Sequence, residues 1–125
     1  MDYFFAKNEN DQLNQVREET NNLGQYSERQ VEVTYTKIRY LKKAARVKLL
    51  EWHMRTDEAY DQWDHWKTTK QSYIEQANHT QIQACESKIE EAANEISHCD
   101  SERHRYKQVI RELGELESKV TDSIQ

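Results

Sequence analysis

The chain has 125 residues, 35% of them hydrophobic and 33% charged, with a net charge of −5, no proline and two glycines, Gly24 and Gly114. That length holds one domain, and so few turn residues argue against a β-sandwich or an α/β fold. The acidic balance argues against indiscriminate nucleic-acid binding by the whole molecule, and two glycines leave little room for a phosphate-cradling loop.

The composition suits a few long helices with narrow apolar stripes. No apolar run is long enough for a membrane span or a signal peptide, so a cytoplasmic protein without a membrane partner is expected. Asn78-His79-Thr80 matches a glycosylation acceptor, which is read as chance without a secretory signal.

Residues 1–10 read as a tail with a small aromatic knot, Tyr3, Phe4 and Phe5. A short helix is predicted over 11–24. Leu13, Val16, Thr20 and Leu23 step by three and four, and Gly24 stands where a helix C-terminal glycine belongs. Ser27-Glu28-Arg29-Gln30 reads as a capping box that opens a long helix over 27–77. Its seam runs from Val31 through Ile38, Ala45, Trp52, Ala59 and Trp66 to Tyr73 and Ala77. Thr56-Asp57-Glu58 offers a possible break, but the heptad phase continues across it.

The chain is expected to reverse at Asn78-His79-Thr80. A second long helix, 80–124, carries a heptad seam from Ile82 and Cys85 to Val120 and Ile124. Folding about residue 79 sets Trp66 against Ala92 and Ala59 against Cys99, large against small, as interdigitating layers require. The predicted fold is therefore all-α: an elongated antiparallel coiled-coil helical hairpin with a short N-terminal helix.

Val33, Tyr40, Val47 and Met54 form a second row beside the first seam, one heptad apart. Val109 and Leu116 form a similar row on the last helix. A widened stripe needs a third helix, supplied by the N-terminal helix or by a second copy of the chain. A three-helix base and a thinner two-helix arm follow.

Charge is uneven along the chain. Residues 31–56 carry seven bases and two acids, whereas residues 57–125 carry fifteen acids and eight bases. Lys37, Arg39, Lys43, Arg46, Lys48 and Arg55, with tyrosines among them, have the makings of a single-stranded nucleic-acid surface. Arg39, Lys43 and Arg46 share one helix face. The plainer account is ion pairing with Glu112, Glu115, Glu117 and Asp122 across the hairpin.

Trp63 and Trp66, with Tyr60 beside them, are either core or partly exposed anchors for a partner. Glu95-x-x-His98 has di-iron spacing but no second copy, so no metal and no cofactor is expected. Cys85 and Cys99 lie two heptads apart on one helix, too far to bond each other.

No motif names a reaction, and the chain is not expected to be an enzyme. The expectation is a coiled-coil assembly or adaptor protein that docks protein partners through helical faces, or forms a homo-oligomer. The residues expected to dock are Tyr40, Val47, Met54, Val109 and Leu116 at the base and Tyr60, Trp63 and Trp66 in the arm. The alternative is a single-stranded nucleic-acid accessory in replication, recombination or packaging that uses the basic stretch.

Overall fold

The computed structural model describes residues 7–124. Tyr3, Phe4 and Phe5, the expected aromatic knot, lie outside the described residues. The described residues form three α-helices: α1, Lys7–Asn21; α2, Glu28–Glu75; and α3, His79–Ile124. No strand occurs among the described residues, and α2 and α3 pack as a helical hairpin with α1 as the short N-terminal helix.

The local signals at the helix ends act as their chemistry dictates. The Ser27 hydroxyl accepts from the Gln30 amide at 3.3 Å, and the Gln30 side-chain oxygen accepts from the Ser27 amide at 3.0 Å. Two donors that α2 would otherwise leave unpaired are thus satisfied. Thr56 does not break the helix. Its hydroxyl donates to the Trp52 carbonyl at 2.7 Å, so a buried polar group is satisfied inside α2.

Two boundaries differ from expectation. Gly24 is not a left-handed cap: α1 ends at Asn21, a 3₁₀ turn follows over Leu23–Gln25, and neither glycine has a positive φ. The helix instead tightens through the bond from the Asn22 amide to the Glu19 carbonyl at 3.0 Å.

The reversal also comes earlier than Asn78-His79-Thr80. Ala77 takes the left-handed conformation with φ 54°. The Asn78 amide donates to the Tyr73 carbonyl and the Ala77 amide to the Ile74 carbonyl, both at 3.0 Å, which is the complete Schellman pattern. Ala77 is therefore an exposed cap, not the last residue of the seam. Asn78 then caps α3, its side-chain oxygen accepting from the Gln81 amide at 3.3 Å.

The chain forms two compact units. Among the described residues, the first combines those up to Leu49 with those from His104 onward. Leu13 and Val16 of α1, Ile38 and Leu41 of α2, and Tyr106, Leu113 and Val120 of α3 are buried there. Glu19 ties α1 to α2 by accepting from the Thr34 hydroxyl at 2.7 Å and the Lys37 ammonium at 2.9 Å. Arg17 ties α1 to α3 through two bonds of 2.7 Å to the Glu112 carboxylate. Those bonds hold the Arg17 guanidinium more firmly protonated than usual.

The second unit, Leu50–Arg103, contains two helices only. Trp52, Thr56, Ala59, Cys85, Ala92 and Cys99 are buried in it. Lys70 meets Glu86 at 3.3 Å and Arg55 meets Glu95 at 3.8 Å, as an antiparallel pair requires.

Candidate docking surface

In the first unit the two extra apolar rows have opposite fates. Val109 and Leu116 are only 6% and 7% exposed. Both lie within one turn of Glu112, the residue that Arg17 grips, so α1 covers this face of α3. Both were expected to dock a partner, and in this chain both are buried.

Val33, Tyr40 and Val47 on α2 remain about half exposed, at 46%, 51% and 52%. At this row the Tyr40 hydroxyl stands 3.4 Å from a Glu9 carboxylate oxygen of α1. In the second unit α2 exposes Leu50, Met54 and Tyr60.

The basic side chains divide in the same way. Lys37 is neutralised by Glu19 and Lys42 by Glu117 at 3.6 Å, while Arg55 lies against Glu95. Glu112, expected to face the basic run, is taken by Arg17. Arg39, Lys43 and Arg46 are exposed and make no ion pair among the described residues. Arg39 instead stands 5.7 Å from the centre of the Tyr35 ring. Lys48 is partly buried. Arg39, Lys43 and Arg46 share with Tyr35, Tyr40 and Glu117 an open groove of about 810 Å³.

No known protein family, curated protein or solved structure matches the chain.

Function therefore rests on the surface itself. In the second unit the tryptophans are graded. Trp52 is core, with the His98 ring nearly perpendicular to it at 5.3 Å between ring centres and the Arg55 guanidinium 4.3 Å over its ring. Trp63 and Trp66 are half-buried. The Lys67 ammonium lies 4.0 Å over Trp63, and His65 stands edge-on to Trp66 at 4.9 Å. Tyr60 is the exposed aromatic of the three expected anchors.

Glu95 accepts from the Cys99 thiol at 3.5 Å, and no group of three or more potential metal ligands occurs among the described residues. Burial pushes the Cys99 thiol above its ordinary pKa, and the Glu95 charge adds to the shift.

Two features escaped the reading of the sequence. Leu50 is exposed although neither of the recognised rows contains it. Asp57, Asp61 and Asp64 are all exposed and make no ion pair among the described residues. Their spacing of four and three was visible in the chain. Acids on a helix surface are ordinary, so the spacing by itself is not a signal of function.

Proposed function

We propose that this protein is a non-catalytic assembly or adaptor protein that works by docking helices onto α2. The observation that carries this reading is the contrast between twin rows. The row on α3 is covered, while Val33, Tyr40 and Val47 on α2 are not. An amphipathic helix leaves a heptad-spaced apolar row in water at a cost, and a further helix removes that cost.

Cross-linking tests the reading. A benzophenone side chain introduced at Val47 should form protein adducts, while the same group at exposed Glu90 on α3 should not. Equal labelling at both positions would defeat it.

A second reading is supported by the unpaired cations. Arg39, Lys43 and Arg46, with Tyr35 and Tyr40, offer charge and ring faces to a single nucleic-acid strand. Such binding should weaken steeply as salt rises and vanish when all three cations become Ala. Binding that survives the triple change would remove these residues from the interface.

A further inference from the structure

Residues 31–49 of α2, all within the three-helix unit, hold six bases and a single acid, Glu32. Two of the bases are answered inside that unit, Lys37 by Glu19 of α1 and Lys42 by Glu117 of α3. Arg39, Lys43 and Arg46 are exposed and make no ion pair among the described residues. They step by four and three, so they line one strip of the helix. Val33, Tyr40 and Val47, each about half exposed, line a neighbouring strip. At about 3.6 residues per turn, the cations lie roughly a quarter turn from the apolar row, on one side of it. On its other side stand Thr34 and Lys37, which Glu19 of α1 holds at 2.7 and 2.9 Å.

We infer that this face of α2 takes an amphipathic helix of another protein, one whose apolar stripe is flanked by carboxylates. This rests on the docking function proposed above and names the partner's chemistry. Val33, Tyr40 and Val47 repeat every seven residues, so they match a stripe of the same period on a packed helix. Carboxylates beside that stripe meet Arg39, Lys43 and Arg46 at the groove they share with Tyr35 and Glu117. α1 uses the same chemistry one face further round: its Glu19 takes Lys37 while its Leu13 and Val16 are buried.

A second copy of the chain is a poorer occupant. This face is basic, and packing it on itself antiparallel about Tyr40 sets Arg39 against Arg39. A nucleic-acid strand is poorer too. It answers the cations but leaves Val33 and Val47 wet, since a valine gives a base no ring to stack on. An acidic amphipathic helix answers both rows together. Exposed ion pairs contribute little, so the apolar contact holds the partner and the charge selects it.

The test uses two designed helical peptides of about 21 residues, each three heptads long. Both carry the same leucine stripe, flanked by glutamates in one and by lysines in the other. Fluorescence anisotropy follows their binding to the full chain. At about 50 mM salt the glutamate peptide should bind on the order of tenfold more tightly than the lysine peptide. The chain as a whole carries a net charge of −5, so a general electrostatic pull would favour the lysine peptide instead. The triple change Arg39→Glu, Lys43→Glu, Arg46→Glu should reverse the preference, and its gain of lysine-peptide binding shows that the variant is folded. The double change Val33→Asp, Val47→Asp should weaken the glutamate peptide on the order of tenfold, with circular dichroism unchanged.

A preference for the lysine peptide, or equal binding of the two, would overturn the inference. Equal binding that the valine variant loses would leave helix docking standing without selection by charge. Failure of both peptides would also overturn it. The benzophenone group at Val47 then decides the docking function, which stands if an adduct forms and falls if none does. Dimers of the chain that the valine variant lacks would put a second copy in the partner's place. Tighter binding of an oligothymidylate, unaffected by the valine changes, would put nucleic acid there.

Discussion

The two units bury different kinds of residue. The three-helix unit encloses large side chains completely: Tyr106, Ile38, Leu41, Leu113, Val16 and Val120 are among its fully buried residues. In the two-helix unit the residues that disappear from solvent are mostly small, Ala59, Cys85, Ala92 and Cys99, with Trp52 and Glu102 the large exceptions. Ile82, Ile89, Ile96, Trp63, Trp66 and Tyr73 occupy seam positions there and remain half-exposed. Two cylinders touch along a line, and a large side chain on that line overhangs it. A third helix turns the line into an enclosed core. The same heptad pattern therefore produces a core in one unit and a half-wet seam in the other.

Truncation should expose this difference most sharply. Leu113→Ala removes a fully buried side chain and should cost about 2–5 kcal/mol. Trp63→Ala removes a larger but half-exposed one and should cost less, on the order of 1–2 kcal/mol, because much of its surface was never dry. Urea unfolding followed by circular dichroism measures both. Equal losses would mean that the third helix adds no burial of consequence. Hydrogen exchange offers the same comparison without substitution: amides of Leu50–Arg103 should exchange sooner than those around Leu113 and Tyr106.

The helix ends give smaller contrasts. Ser27→Ala removes the hydroxyl of the capping box in the three-helix unit and should destabilise by about 1 kcal/mol. Ser27→Thr should retain most of the stability, and a loss as large as that of Ala would show that the hydroxyl is not the cause. At the turn of the two-helix unit the sign reverses. Ala77 holds a left-handed conformation that costs an L-residue about 1–2 kcal/mol. Ala77→Gly should relieve it, offset by the freer unfolded chain, for a net gain of about 0.5–1 kcal/mol. A raised urea midpoint is expected, and an unchanged or lowered one would mean that the turn carries no such strain.

The smallest effect concerns reactivity. Burial and the Glu95 charge keep the Cys99 thiol protonated at pH values where an exposed cysteine ionises. A thiol reagent at about pH 8 should label Cys99 slowly until denaturant is added. Fast native-state labelling would contradict the buried seam.

Much of this architecture was legible in the chain. The capping box at Ser27 and the heptads of α2 and α3 follow from rules that act over four to seven residues. The sequence points to a reversal slightly late because Asn78 is the stronger turn residue by type. It was indeed used, as the N-cap of α3, while Ala77 carried the backbone reversal. Gly24 misled for the opposite reason. A glycine permits the left-handed cap but does not demand it, and here the chain closes through a 3₁₀ turn instead.

The candidate docking surface was only half legible. Periodicity located Val33, Tyr40, Val47 and Met54 and, equally, Val109 and Leu116. Nothing in their spacing said which row would be covered, since both suit a third helix. That choice was made by α1, whose Arg17 engages Glu112 on α3 and whose Glu19 engages Thr34 and Lys37 on α2. The same packing consumed some charges and left Arg39, Lys43 and Arg46 without acids.

The sequence by itself determined the helices, their caps and the apolar stripes, because propensity and periodicity are local. Tertiary structure alone decided which stripe stayed dry and which bases stayed unpaired. A helix can present several faces at once, and only a neighbour in space determines which of them meets water.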